Sequence, residues 1–285
     1  MAEMVKVTLY GDEIEVERGT TLLELAKQYQ CKEDNDIILA VVNGKLRELP
    51  RLINKSCDIQ FLTTADKAGK KTYVRGLVLV LIKSLYEVVG EGNIDNFLLE
   101  FALGTGYYCE MEGKVKLNQD IIDKVKARMK ELVALNLPFE KRSVPTDMAR
   151  EMFKNHKMYD KANLFKYRRG AKTNVYSLDG FDDYFYGYMP ASTGILKYFD
   201  LHLFEEGLIL QTPSSRTPKE IGEYKPTMKL FRTLKESNDW GKTMEVETIG
   251  ALNDVIAQGG INDLILVQEA FQEKKIAEIA EQIKN

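Results

Sequence analysis

Leu103-Gly-Thr-Gly-Tyr-Tyr-Cys-Glu-Met111 opens the stretch of sequence that decides the fold, and this stretch continues to Phe153. Asn118, a residue type that often caps helices, comes before a run in which apolar side chains recur every three or four positions. These side chains are Ile122, Val125, Met129 and Leu132. The spacing predicts an amphipathic helix, and Asn136-Leu-Pro138 predicts its end.

Strands and a further helix are predicted on both sides of this amphipathic helix. Phe97–Ala102 leads into the opening segment, and Phe139–Val144 indicates a short strand before a helix that starts at Pro145. Further along, the sequence has a dense aromatic segment over residues 176–189. Two apolar runs after it indicate paired strands that close the domain, over 198–204 and 208–211.

The N-terminal sixty residues are predicted to form two hairpins around a short helix. Gly11-Asp12 turns the first hairpin, and Asn43-Gly44 is typical of the type I′ turn of the second. Between them, Thr21-Leu-Leu-Glu24 matches the capping box that starts a helix. A last strand follows over Cys57–Leu62. The order of two strands, a helix, two strands and a final strand predicts a small β-grasp module.

Changes in composition predict where the chain divides. Residues 65–71 are polar and basic and are typical of a linker, after which a helix is expected from about Val74 to Val89. Pro213-Ser-Ser-Arg-Thr-Pro218 marks a second boundary. Helices are expected beyond it over 228–235, 246–258 and 261–284. We therefore expect three parts, covering residues 1–64, 70–213 and 214–285.

Composition limits the classes of function. Of the 285 residues, 44% are apolar and 29% are charged, which is ordinary for a globular protein. The net charge of −3 gives no overall attraction to nucleic acid or to an anionic membrane. Met1 is followed by no signal peptide, and Gly76–Ile82 is too short to cross a bilayer. With three cysteines far apart, these features predict a reduced, cytoplasmic protein without a membrane partner.

Several motifs resemble the N-terminal region of threonyl-tRNA synthetases. Gly106-Tyr-Tyr-Cys-Glu110, Ala127-Arg-Met-Lys-Glu-Leu132 and Met148-Ala-Arg-Glu-Met-Phe153 are similar to motifs of their second, editing domain. Residues 40–49 and 58–63 resemble the TGS domain that opens those enzymes. The resemblance implies an α+β fold: an N-terminal β-grasp (ubiquitin-like TGS) domain, an editing-domain-like α+β domain and a C-terminal helical segment.

The resemblance also implies where an editing site would lie. In the synthetases, two histidines on one helix, with a cysteine and a histidine further on, form a cluster that can hold a metal or orient a water. The four matching positions here are Gly76, Val80, Phe185 and Met189. None of these side chains titrates near neutral pH or offers a metal ligand of the lost types. We therefore predict a degenerate cleft, which also includes Tyr107 and Tyr186, with no catalytic residue and no metal.

A second group of residues has the composition of a nucleic-acid contact. Tyr167, Arg168, Arg169 and Lys172 combine an aromatic ring with positive charge, which suits base stacking and phosphate binding. The alternative is a solvated loop, since residues 155–175 are typical of exposed turns. The aromatic segment over 181–188 is equally open to two interpretations, the lining of a cleft or the packing of a sheet face.

Other chemical motifs are incomplete. Gly241-Lys-Thr243 imitates the end of a phosphate-binding loop, but Glu236 stands where its first glycine belongs. Gly104-Thr-Gly106 lacks the third glycine of a dinucleotide loop. The two histidines, His156 and His202, match neither half of the editing site. None of these motifs predicts catalysis.

The sequence after residue 213 supports a hypothesis about a larger protein. Ile265–Ala280 resembles the helix that leads into the P-loop kinase domain of a bacterial uridine-kinase-like family. This resemblance implies a non-catalytic accessory region, with its own C-terminal kinase domain as partner and with ATP and Mg²⁺ as cofactors of that domain alone. The alternative is an RNA-binding module that binds RNA or a nucleotide weakly. A divergent editing hydrolase is a third interpretation, and the oligomeric state is left open.

Overall fold

The computed structural model shows an α+β protein and describes residues 3–284. Twelve strands and eight α-helices lie within these residues. The chain divides into two units, each defined by dense internal contacts. The first contains the residues up to Ser143 together with Asn174–Thr227, and the second contains Val144–Thr173 together with the residues from Met228 on.

Five strands and a helix form the N-terminal part of the first unit. Their bounds are Met4–Leu9 (β1), Asp12–Glu17 (β2), Leu22–Tyr29 (α1), Ile37–Val42 (β3), Lys45–Glu48 (β4) and Cys57–Thr63 (β5). The strands form one sheet in the order β2-β1-β5-β3-β4. In it β1 and β5 run parallel, and the other neighbours run antiparallel. This is the predicted β-grasp arrangement.

Two local structures that the sequence predicts, a capping box and a type I′ turn, form as expected in this part of the chain. The Thr21 side chain accepts a hydrogen bond from the Glu24 backbone N–H, and the Glu24 carboxylate accepts one from the Thr21 backbone N–H. This capping box starts α1. Asn43 and Gly44 both have positive φ, 48° and 73°, as a type I′ turn requires. Buried side chains of the sheet then pack against Leu22 and Leu25 of α1.

Helix α2 spans Lys67–Val89, so the predicted linker over 65–71 is wrong. Asp66 accepts hydrogen bonds from the Thr63 backbone N–H and hydroxyl, at 2.7 and 3.1 Å, which ties the helix start to the end of β5. A Cβ at Gly69 would lie 1.9 Å from the Thr63 carbonyl oxygen. The helix therefore begins in close contact with the β-grasp sheet, and its later turns are buried on nearly every side.

The rest of the first unit is built around α2, and the strands β8 and β9 each include two residues that are counted with the second unit. The elements are Ile94–Leu103 (β6), Gly106–Gly113 (β7), Gln119–Ala134 (α3), Glu140–Pro145 (β8), Lys172–Leu178 (β9), Phe181–Asp183 (β10), Asp200–Phe204 (β11) and Gly207–Gln211 (β12). One sheet has the order β11-β12-β7-β6 and another the order β10-β9-β8. Helix α3 packs against α2 and β11. The predicted strands β8, β11 and β12 are confirmed.

The amphipathic helix predicted from the central stretch is confirmed as α3. The Asn118 side chain accepts a hydrogen bond from the Ile121 backbone N–H at 3.0 Å and so caps the helix. All four side chains of the predicted stripe are fully buried. Asn136 adopts a φ of 50° just after the helix. Its side-chain oxygen accepts hydrogen bonds from Ser192 and Gly194, which fixes the turn that follows.

The second unit is helical. Its helices are Thr146–Asn155 (α4), Tyr159–Lys166 (α5), Met228–Thr243 (α6), Ile249–Ala257 (α7) and Ile261–Lys284 (α8). The three C-terminal helices confirm the prediction, whereas the expectation of exposed turns over 155–175 is wrong for α5. This segment folds as a helix because it buries Ala162 and Phe165. A Cβ at Gly250 of α7 would lie 2.8 Å from the Asn163 Cβ, so α5 and α7 approach closely.

The α+β class is confirmed, and the elements of the β-grasp sheet follow one another along the chain in the expected order. The three-part division at 1–64, 70–213 and 214–285 stays a prediction, because the two compact units have other boundaries. Across residues 3–284, no helix combines the length and the apolar character needed to cross a membrane.

Candidate functional site

The two helix positions of the degenerate editing-like site are closed by packing. Gly76 and Val80 lie one turn apart on α2, and both are buried. A Cβ at Gly76 would lie 2.7 Å from the Pro190 Cγ and 3.0 Å from the Leu196 Cδ1. Val80 has no exposed surface. The predicted cleft is therefore not open at these two positions, because α2 and the segment around Pro190 are in contact there.

The other four residues of that predicted cleft lie in different environments. Met189 is 1% exposed, and Phe185 packs half-buried against the same core. Tyr107 is half-buried in β7, and burial raises the pKa of its hydroxyl. Tyr186 is 88% exposed. The exposure of these four side chains thus ranges from buried to almost fully exposed, and the grouping of the six residues in one cleft stays a prediction.

The segment that carries Phe185 and Met189 is held against α2 by an arginine. The Arg75 guanidinium donates to the Tyr188 carbonyl oxygen at 3.3 Å. A Cβ at Gly187 would lie 2.4 Å from the Arg75 Cζ, and Gly187 has a φ of 137°. Glycine is favoured here by the backbone conformation, whereas a side chain would also displace the flexible end of Arg75. Burial lowers the pKa of Arg75 below its usual range.

An open cleft does occur where the β-grasp sheet meets β8 and β9, and we name it the Glu48 cleft. Its volume is about 480 Å³. The β-grasp side contributes Arg47, Glu48, Pro50 and Arg51. The opposite side contributes residues 139–141, Tyr176 and residues 188–190. Of the four editing-like positions, only Met189 lines this cleft; Gly76, Val80 and Phe185 do not.

Glu48 joins the two sides of the cleft. Its Oε1 accepts hydrogen bonds from the Tyr176 hydroxyl at 2.6 Å and from the Met189 backbone N–H at 3.0 Å. Its Oε2 pairs with the Lys141 ammonium at 2.9 Å. Lys141 also lies 5.3 Å from the centre of the Tyr176 ring. Burial, and then the hydrogen bond to Glu48, raise the pKa of Tyr176 far above its usual range.

The predicted basic contact belongs to the second unit, where part of it is used structurally. The Tyr167 hydroxyl donates to the Asp254 carboxylate of α7 at 2.5 Å, and the neighbouring Lys166 pairs with the same carboxylate. Arg168 lies 5.8 Å from the centre of the Phe165 ring. Arg169 and Lys172 are exposed. The group therefore presents positive charge to solvent, while the Tyr167 hydroxyl is hydrogen-bonded to α7.

Side chains for hydrolysis or metal binding are not gathered at any of these places. Across residues 3–284, no three His, Cys, Asp or Glu side chains are placed to hold a metal ion. His202 stacks on Tyr224 with ring centres 3.7 Å apart, and its Nε2 lies 2.9 Å from the Gln211 Oε1. His156 is exposed after the end of α4. Both histidines lie away from the editing-like positions.

Comparison with known proteins finds similarity to threonine–tRNA ligases of several bacteria. The chain is 29% identical over 192 residues to a threonine–tRNA ligase of Thermotoga petrophila, which covers 67% of this chain and 29% of that protein. Threonine–tRNA ligases of Clostridium kluyveri and Natranaerobius thermophilus are 26% and 28% identical, over 57% and 53% of this chain. No family profile matches the chain.

The chain is similar to threonine–tRNA ligases. It spans less than a third of the length of these relatives. The similarity confirms the resemblance to a threonyl-tRNA synthetase found in the sequence, and it provides no support for a uridine-kinase-like parent.

Sequence reasoning missed the Glu48 cleft. The resemblance to threonyl-tRNA synthetases points to Gly76 and Val80, whereas Arg47 and Glu48 belong to a TGS-like motif that implies no site. Lys141 and Tyr176, which complete the cleft, lie more than ninety positions further along the chain. The sequence does place an arginine on each side of Glu48-Leu-Pro50, but this pattern does not indicate which residues lie opposite the two arginines in the fold.

Proposed function

We propose that this chain is an RNA-binding module related to the N-terminal region of threonine–tRNA ligases, and that it binds RNA without hydrolysing it. The similarity to those ligases, over as much as 67% of the chain, is the observation that carries the proposal. The name of these relatives points to tRNA as the class of RNA. The buried Gly76 and Val80 support binding without catalysis, because neither can activate a water.

The charge distribution supports a local contact. With a net charge of −3, the whole chain does not attract a polyanion, so affinity has to come from a cluster of exposed cations. Arg168, Arg169 and Lys172 are such a cluster, and all three are exposed. Their contacts would be made with phosphates, which give affinity and little sequence preference.

A tRNA titration followed by fluorescence anisotropy tests the proposal, at about 50 mM and about 200 mM salt. We expect affinity to fall steeply with salt. Changing Arg168, Arg169 and Lys172 together to Ala should weaken binding and reduce the slope of the salt dependence by about one for each phosphate that is no longer neutralised. The matched control changes three exposed lysines of the first unit, Lys116, Lys124 and Lys130, to Ala and should bind as the parent does.

Three results would overturn the proposal in this form. The absence of tRNA binding at low salt would remove the function. Tight binding that persists in the triple variant would remove this cluster as its cause. Hydrolysis of a mischarged tRNA by the chain would contradict binding without catalysis.

The kinase-accessory hypothesis is a second candidate. The helix α8 favours it, because Ile265–Ala280 forms the continuous helix that the resemblance implies. The relatives named above are threonine–tRNA ligases, and none of them is a nucleoside kinase. The genomic sequence tests it: an apolar strand followed by Gly-x-x-x-x-Gly-Lys-Ser/Thr downstream of α8 would support the hypothesis, and a stop codon there would eliminate it.

A further inference from the structure

The Glu48 cleft has an excess of uncommitted positive charge. Arg47 donates only to the neighbouring Leu46 carbonyl oxygen, at 3.1 Å. Arg51 makes no side-chain hydrogen bond, and neither arginine is ion-paired within residues 3–284. Glu48 is already bound by Lys141, Tyr176 and the Met189 backbone. The lining of the cleft therefore contains two arginines outside any ion pair and one uncommitted carboxylate, that of the exposed Glu140.

The size and wall chemistry of the cleft suit a ligand that has both a ring and an anionic group. A volume of about 480 Å³ lies within the range of small-molecule sites. Tyr188 and the prolines at positions 50 and 190 give one part of the wall flat apolar surface. A base can stack on an aromatic side chain, and arginine binds phosphate through two parallel hydrogen bonds.

A second opening shares Arg51 with the cleft. It has a volume of about 380 Å³ and is lined on its polar side by Asn43, Asn54, Lys55 and Ser56. Arg51 thus stands between two adjacent openings. A ligand with a second phosphate, or with a further nucleotide, would have donors on both sides of this guanidinium.

We propose that the Glu48 cleft binds a nucleotide unit, a base that carries at least one phosphate. The phosphate is held by Arg47 and Arg51, and the base lies against Tyr188. A free nucleotide and the terminal nucleotide of a single-stranded RNA share this chemistry. The site lies wholly within the first unit and does not use Arg168, Arg169 or Lys172, so it stands independently of the proposed function.

Calorimetry with the full chain tests this site. The probes are UMP, AMP, inorganic phosphate and a short single-stranded RNA with a 5′-phosphate. We expect the mononucleotides or the RNA to bind more tightly than phosphate alone. The Arg47→Ala, Arg51→Ala double variant should bind them at least about tenfold more weakly. The Lys45→Ala variant removes an exposed charge close to Arg47 that does not line the cleft, and it should bind as the parent does.

A second variant tests the role of the ring. Tyr188→Leu keeps both arginines and should reduce the preference for a mononucleotide over inorganic phosphate, while the affinity for phosphate itself stays the same. Thermal melting of each variant checks that it is folded. The triple variant at Arg168, Arg169 and Lys172 should keep its mononucleotide affinity, which separates this site from the tRNA contact.

The outcomes are distinct. Mononucleotide binding that depends on Arg47 and Arg51 supports a free nucleotide as the ligand. RNA binding with the same dependence, but without mononucleotide binding, supports an RNA end. Binding of phosphate as tight as that of every nucleotide would overturn the assignment of the base. The absence of binding by all four probes, or binding unchanged in the double variant, would overturn the site.

Discussion

The residues around Gly76 leave no room for a side chain at this position. The space that a Cβ would need is already occupied by Pro190 and Leu196, at 2.7 and 3.0 Å. A histidine at this position would have to displace both side chains from the core. A single substitution at this position would therefore be opposed by the packing of α2 against the segment around Pro190.

The Gly76→His variant tests this packing. We expect a loss of about 1–3 kcal/mol in the free energy of unfolding, since inserting atoms into a packed core has that cost. The matched control is Gly92→His, because nothing lies within 4 Å of the Cβ position of Gly92. Thermal melting measures both variants. Equal melting temperatures for Gly76→His and the parent would show that Pro190 moves away readily and that the position is not closed.

Helix α2 connects the β-grasp sheet to the rest of the first unit. Its first turn is tied to β5 by the bonds between Asp66 and Thr63, and Gly69 allows the helix backbone to approach the Thr63 carbonyl oxygen. A glycine inside a helix costs about 1 kcal/mol relative to alanine. Its presence here is explained by the close contact and not by helix propensity.

The Gly69→Ala variant should therefore lower stability, although alanine is the better helix former. The added Cβ would lie 1.9 Å from a backbone oxygen, so the helix start has to shift. We expect this to outweigh the gain in propensity and to leave a net loss of roughly 1–2 kcal/mol. Lys71→Ala, at an exposed position of the same helix turn, is the control. A Gly69→Ala variant more stable than the parent in thermal melting would contradict the contact.

At the scale of the whole molecule, each of the two units is defined by dense contacts within itself. No cluster of metal-ligand side chains occurs among residues 3–284. The first unit depends on two apolar clusters, one in the β-grasp sheet and one around α2. Apolar burial is the main source of stability in such cores. The net charge of −3 gives the whole chain no overall attraction to a polyanion.

Chelation tests the absence of a structural metal. Dialysis against EDTA should leave the melting temperature unchanged, because a structural zinc site would make a large contribution to folding. Elemental analysis of the purified chain should show zinc well below one equivalent. One equivalent of zinc that is lost together with thermal stability on chelation would show that a site has been overlooked.

The sequence by itself determined the elements whose causes are local. The capping box of Thr21 and Glu24, the Asn43-Gly44 turn and the stripe of α3 each depend on residues a few positions apart, and all three form as expected. These features could be predicted because short-range sterics and hydrogen bonds decide them.

Only the tertiary structure decided the features that join distant positions. The polar segment over 65–71 starts a helix because it docks on β5, and residues 159–166 become helical because Phe165 is buried. The Glu48 cleft brings Arg47 and Arg51 opposite Tyr188, and the hydrogen bond from Tyr176 to Glu48 joins positions 128 residues apart. Such contacts form only once the whole chain is folded, because their free energy depends on burial that no local window of sequence contains.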